Sequence, residues 1–193
     1  MDSLIDKWNH IYSQVDINTI QASGVLIENA YLLPEKGTAL DLASGLGGNA
    51  LFLAQQNLAV TAWDISLTAI SKLSAYADRQ GLNINACQQN ITSLSFTKSS
   101  YDVISVSRFL DRTLSDAIIG ALKPGGLLFY QTFTKEKISG QGPKNPTYML
   151  DRNEILRLFS PLAVVIYREN SFCGNLHQGL RDEIQFVGQN IAY

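Results

Sequence analysis

The sequence predicts a doubly wound α/β sheet, on three observations. Short apolar runs alternate with segments of helical periodicity through most of the chain, which demands parallel strands with helices on both faces. The first clear run, Thr38-Ala39-Leu40, ends in an acid and drops into glycines, DLASGLGGN over 41–49. The last two runs are joined by a tight connection with no helical stripe, which makes them an antiparallel pair at one edge.

The elements follow in order. Residues 3–15 and 19–33 read as two helices; in the second, Ile20, Val25, Leu26, Ala30 and Leu33 share a stripe, and Pro34 and Gly37 end it. TALDLA is a strand and GNALFLAQQN a helix. LAVTAWDIS is the second strand, and LTAISKLSAYADRQ a helix stopped by Gly81. LNINACQQN and YDVISVS are strands three and four. TLSDAIIGAL is a helix, KPGG a turn and LLFYQTF the fifth strand. A loop rich in Lys, Gly and Pro covers 134–147. DRNEILRLFS is a helix with Asp151 as N-cap and Glu154 completing a capping box. LAVVIYREN and DEIQFVGQN are the closing pair.

Composition bounds the function. A chain of 193 residues with 46% hydrophobic and 17% charged residues fits one globular domain over 1–193. A net charge of -2 argues against a nucleic-acid partner. Cys87 and Cys173 form no spaced pair, and His10 and His177 are not placed with them, so no metal site is expected. The opening MDSLIDKW lacks the apolar stretch of a signal peptide, and no run reaches the ~20 apolar residues of a membrane span. The expectation is a cytoplasmic protein with reduced thiols and no membrane partner.

The glycine turn carries the chemistry. Glycine lets a chain turn sharply and a ligand approach its backbone, the general nucleotide-cradle arrangement between strand and helix. Gly45, Gly47 and Gly48 read G-x-G-G with Ala50 in the sixth position, which departs from the dinucleotide fingerprint. A carboxylate from Asp41 at the mouth of the turn repels a pyrophosphate and attracts an amino group. Asp64, ending strand two, offers two acceptor oxygens to a ribose. Gln89 or Asn90, ending strand three, suits an adenine edge, and either also suits an ordinary turn.

Together these residues resemble the class I S-adenosylmethionine-dependent methyltransferases. The matching pieces are LDLASGLGGNALFLA, VTAWDISLTAISKL, QQNI, YDVISVSRFLDR and LKPGGLLFYQTF, in the family's order over 38–133. GLGGNALFLAQQNLAVTAWDIS and the aromatic-bearing N-terminal helix are most similar to the small bacterial enzymes grouped with tellurite resistance. The resemblance implies a Rossmann-like, seven-stranded, mostly parallel sheet with an antiparallel C-terminal hairpin strand. It implies S-adenosylmethionine as cofactor, with Asp41 near the methionine amino group, Gly45 and Gly47 backing methionine and ribose, and Ala43, Ser44 and Asn49 also among the cofactor-binding residues. Asp64 then holds the ribose, Asn90 meets the adenine, Ile65 and Ile91 join them among the cofactor-binding residues, and Ser107 and Arg108 face the transferred methyl. Asn90 stands where the family often has aspartate, and Ala43 where it usually has glycine.

The acceptor side is sought in SRFLDR. Arg108, Asp111 and Arg112 can clamp an anionic acceptor, since guanidinium pairs with oxyanions in a fork; Arg108 is the candidate catalytic residue. The same residues fit a helix start with Asp111 as N-cap. The loop 134–150 has the length of a lid, in which Asn145 and Pro146 set a turn and Tyr148 closes over the acceptor or packs. Residues 1–33 form a helical cap in which Trp8 and Tyr12 cover the site or pack. The expected partner is a small-molecule acceptor: an oxyanion such as tellurite, another small acid, or a thiol. Alternatives are a nucleic-acid or protein methyltransferase, a donor-binding protein without turnover and, more remotely, a dinucleotide oxidoreductase.

Overall fold

In the computed structural model, which describes residues 2–191, the predicted strands form one seven-stranded sheet. In chain order the elements are α1 (Asp2–Ser13), α2 (Gly24–Glu28), β1 (Gly37–Leu42), α3 (Gly48–Gln55), β2 (Leu58–Asp64), α4 (Leu67–Gln80), β3 (Ile84–Gln88) and β4 (Tyr101–Ser107). They continue with α5 (Ser115–Ala121), β5 (Leu122–Phe133), α6 (Glu154–Leu158), β6 (Ala163–Arg168) and β7 (Glu183–Gln189). The strand order is β3-β2-β1-β4-β5-β7-β6. Strands β1 to β5 pair in parallel, and β7 runs antiparallel to both β5 and β6.

Side chains alternate across the sheet and bury two separate layers. On one face Ala39, Val60, Val103, Phe129 and Val187 pack with Leu26, Leu53 and Leu73 from α2, α3 and α4. On the other, Leu40, Ile104, Leu128 and Phe186 pack with Ile118 of α5 and with Ile155 and Phe159 in and after α6. Each such side chain, fully buried, contributes ~1.5–3 kcal/mol. The order of strands reverses between β1 and β4, so the carboxyl ends of these two strands flank the crevice where ligands bind in such sheets. The glycine turn and Ser107–Arg108 stand there.

Three local expectations are corrected. The helix predicted over 19–33 is broken into two 3-10 turns, Ile17–Thr19 and Ala30–Leu32, around the short α2. The N–H groups of Ser23 and Val25 donate to the side-chain oxygens of Asn49 and Gln131, both at 2.8 Å, and these distant partners replace helical ones. The KPGG turn lies inside β5: the register steps from Tyr101↔Leu122 to Val103↔Leu127, so these residues bulge from the ladder. Lys123 fixes the bulge by donating to Asp102 at 2.7 Å. Half of the capping box forms: the Asp151 N–H donates to Glu154 at 2.7 Å. The N-cap itself is Asn153, in a left-handed conformation, and the Asp151 carboxylate pairs with Lys135 instead.

Candidate active site

The turn after β1 is built on two buried carboxylates. Asp41 is 1% exposed. Its oxygens accept from Ser105 Oγ at 2.8 Å, the Ala50 N–H at 3.0 Å and Asn49 Nδ2 at 3.4 Å. Asp64 accepts from the Gly45 N–H through one oxygen and the Ser66 N–H through the other, both at 2.8 Å. Burial pushes the Asp41 carboxyl up to about 7, against the lowering effect of its donors, and raises that of Asp64 for the same reason. The sequence argument put a charged Asp41 at the mouth of the turn; the fold puts it underneath, bracing the start of α3. With its pKa near neutrality, the group is a weak basis for electrostatic discrimination between ligands.

Asn49 is the hub of the turn. Its Nδ2 also donates to Ser107 Oγ at 3.0 Å, and its Oδ1 takes the Ser23 N–H. One amide thus joins α3, the end of β4 and the chain leading into α2. Ala43, at φ 54, and Gly45, also at φ 54, are both left-handed. Glycine is at ease there; Ala43 stands between Leu42, the last paired residue of β1, and Ser44, whose N–H donates to the Trp63 carbonyl at 2.8 Å. A Cβ added at Gly48 would lie 2.3 Å from the Gln21 carbonyl oxygen, so only glycine lets the crossing chain through.

That crossing chain forms a strap. Helix α1 docks on α4: Asn9 Oδ1 accepts from Ser66 Oγ and the Thr68 N–H, and Lys72 donates to the carbonyls of Tyr12, Ser13 and Val15. Tyr12 stacks on Trp8 with centroids 5.5 Å apart. Its hydroxyl lies 2.7 Å from where a Gly45 Cβ would stand, so the ring sits on the glycine turn. Burial, Asp64 and Asp41 together raise the phenol pKa, which keeps Tyr12 protonated. Among the described residues, the buried hydroxyls of Ser44, in the turn, and Ser23, on the crossing chain, have no hydrogen-bond partner.

The remaining sequence candidates divide. Ile65 follows Asp64, and its carbonyl accepts from Gln88 Nε2. The Gln89 N–H donates to the Asp64 carbonyl at 2.8 Å, which brings the exposed Asn90 and the half-buried Ile91 to the same edge. Arg108, next to Ser107, is left-handed at φ 53, and its Nε donates to Glu183 at 3.0 Å. Asp111 caps the following 3-10 turn by accepting the Thr113 N–H. Arg112 does not join Arg108: it donates to both oxygens of Glu154 and to the carbonyls of Thr147 and Met149. Its guanidinium anchors the 134–150 loop and is not open to an acceptor. Tyr148 is 53% exposed on that loop, in the turn set by Asn145. Glu183 and Gln131, which sequence reasoning missed, lie beside Arg108. Gln131 Nε2 donates to Glu183 at 2.5 Å, and its carbonyl accepts the Arg108 N–H at 2.8 Å.

A methyltransferase-domain family profile matches residues 39–126, the stretch from β1 to the β5 bulge. TehB of Haemophilus influenzae, a probable S-adenosyl-L-methionine-dependent methyltransferase, is 26% identical over 175 residues, covering 86% of this chain and 59% of that protein. The chain carries a class I S-adenosylmethionine-dependent methyltransferase domain. The crystal structure of TehB from Haemophilus influenzae superposes with a TM-score of 0.72 at 20% identity, over 89% of this chain and 63% of that one. A S-adenosylmethionine-dependent methyltransferase from Aquifex aeolicus superposes with a TM-score of 0.68 at 14% identity, over 97% of each chain. The [4+2]-cyclase SpnF does so with a TM-score of 0.66 at 14% identity, over 86% and 77%. These structural likenesses show the fold, which hosts more than one kind of reaction. The chain spans 59% of the length of TehB. Among the described residues, no helix is long and apolar enough to cross a membrane.

Proposed function

We propose that this protein transfers the methyl group of S-adenosylmethionine to a small-molecule acceptor: an oxyanion such as tellurite, another small acid, or a thiol. The observation that carries the reading is the glycine turn of a methyltransferase domain, set at the sheet's switch point with Asp64 beneath it and unpartnered serine hydroxyls beside it. The residues fit the donor chemically. Each Asp64 oxygen accepts one backbone N–H and keeps a lone pair for a ribose hydroxyl. Ser44 and Ser23 offer hydroxyls for the polar methionine end.

When bound, S-adenosylmethionine supplies an activated methyl carbon: an acceptor lone pair bonds to it as the carbon–sulfur bond breaks and the bonding pair stays with sulfur. The chain's work is then to orient and to exclude water, and positioning alone is worth up to ~7–11 kcal/mol in favourable cases. A protonated Tyr12 over Gly45 serves as a lid rather than a base. A neutral acceptor releases its proton to solvent.

The test pairs a donor-consumption screen over oxyanions, small carboxylates, thiols and RNA with calorimetry of S-adenosylhomocysteine. Asp64→Ala would orphan two buried N–H groups, so Asp64→Asn is the cleaner variant. One ribose hydrogen bond to a charged acceptor is worth ~1.5–3 kcal/mol, so the dissociation constant should rise at least ten-fold. An unchanged constant removes Asp64 from the site. Turnover confined to RNA overturns the small-molecule reading.

A further inference from the structure

At the carboxyl ends of β4 and β5 lies a cavity of about 310 Å³. It is walled by Arg108, by Phe133 at the end of β5, by Ser139, Gln141 and Gly142 of the long loop, and by Arg181, Asp182 and Glu183 leading into β7. Its chemistry is narrower than its charged lining suggests. The Asp182 carboxylate accepts from the N–H groups of Ile138 and Ser139 and from the Ser139 hydroxyl, closing the long loop. Arg181 donates to five backbone carbonyls between 170 and 178. Glu183 is held between Gln131 and the Nε of Arg108. One charged group is left open. Arg108 is 69% exposed, and among the described residues its two terminal nitrogens have no hydrogen-bond acceptor. Its guanidinium lies 6.0 Å from the centre of the Phe133 ring.

Backbone strain converges on the same cavity. Arg108 and Asp182 are both non-glycine residues with left-handed φ, 53 and 63. Such conformations cost ~1–3 kcal/mol and persist where the surroundings impose them. The kink at Arg108 takes its side chain out of the β4 alternation, and the Glu183–Gln131 pair fixes where it goes.

We infer that this cavity is the acceptor subsite and that it takes a small organic carboxylate, held by the Arg108 fork with its flat or apolar body against Phe133. The cavity's volume, about 310 Å³, is far more than a bare oxyanion fills, and the half-buried Phe133 ring, approached by the Arg108 and Lys137 cations, gives it an apolar wall. A planar fork suits a carboxylate in two parallel hydrogen bonds. The carboxylate is an anchor, and the methylated atom belongs to the rest of the acceptor. The inference rests on the methyl-transfer reading above and narrows its acceptor.

The probes are benzoate, benzamide and tellurite, titrated with saturating S-adenosylhomocysteine into the wild type, Arg108→Gln and Phe133→Leu. Benzoate should bind the wild type at least ten-fold more tightly than benzamide. Arg108→Gln should abolish that preference, and Phe133→Leu should weaken benzoate several-fold while leaving tellurite unchanged. Retained S-adenosylhomocysteine binding certifies that each variant is folded. Absent benzoate binding, equal binding of benzoate and benzamide, or an unaltered preference in Arg108→Gln overturns the assignment. So does tellurite displacing benzoate with the tighter constant. If the wild type binds benzoate as described but not S-adenosylhomocysteine, the methyl-transfer reading fails and the anion subsite stands.

Discussion

Asp41 works as a brace, and its protonation should register in stability. Its folded pKa, about 7, stands above its unfolded value, so the folded state holds the proton through the acidic range. The stability this contributes is complete below the unfolded pKa, ~4, and is lost as pH rises toward 7, by up to ~1.4 kcal/mol per pH unit. Asp41→Asn cannot titrate. Urea denaturation from pH 4.5 to 8 should show the variant gaining on the wild type up to about neutrality and running parallel above it. The same variant should weaken S-adenosylmethionine, S-adenosylhomocysteine and methylthioadenosine alike, because a loosened α3 start affects any occupant of the turn. A loss confined to the two ligands with an amino group would restore the direct contact implied by the family resemblance. Ala43 gives a second residue-scale outcome. A left-handed alanine costs ~1–2 kcal/mol, and glycine's greater unfolded freedom returns ~0.5–1 of that. Ala43→Gly should therefore raise the denaturation midpoint slightly.

At the scale of elements, the 134–150 loop is held at both ends. Thr134 bridges Leu150, and Arg112 ties Glu154 to the carbonyls of Thr147 and Met149. Removing the guanidinium in Arg112→Ala should speed amide exchange over 145–150 and cost ~1–2 kcal/mol, with the sheet amides unaffected. Equal loss of protection in β4 and β5 would mean that Arg112 supports the core instead. The contrast between Asp111 and Arg112 shows where sequence reasoning reaches. Asp111 caps a turn two residues away, an interaction that spacing reveals. Arg112 meets partners 35 to 42 residues on, which no local pattern encodes. The half-formed capping box at Asp151 fails likewise, because Lys135 claims the carboxylate across the loop. Strands and helices were legible because apolar periodicity is local; the surroundings of Arg108 were not, because Glu183 joins it only after β7 enters the sheet.

For the whole molecule, the strap is the part that must answer to ligand. It crosses from α4 to β5 by way of polar contacts at Asn9, Lys72, Asn49 and Gln131, with Tyr12 on Gly45 midway. A ligand reaching the Gly45 backbone must move that ring. Adding S-adenosylhomocysteine should change amide exchange across 4–25 as well as in the glycine turn. Changes restricted to 43–50 would show that the turn loads without the strap. The order of the sheet was readable from alternation and the closing antiparallel pair. The path of the strap was not, since its anchors lie 26 and 106 residues from the groups they hold.

The placement of β7 also bears on how the protein is made. It follows β6 in the chain yet lies between β5 and β6, and it carries the Glu183 that fixes Arg108. During synthesis β5 therefore waits as an open edge while β6 emerges with nothing to pair with. Neither edge closes until residues 183–189 have left the ribosome and reached across both. Long-range pairing of this kind is slow, and it leaves apolar edges exposed meanwhile. A released chain truncated after β6 should thus be protease-sensitive around Phe129 and Tyr130, residues that the finished sheet buries.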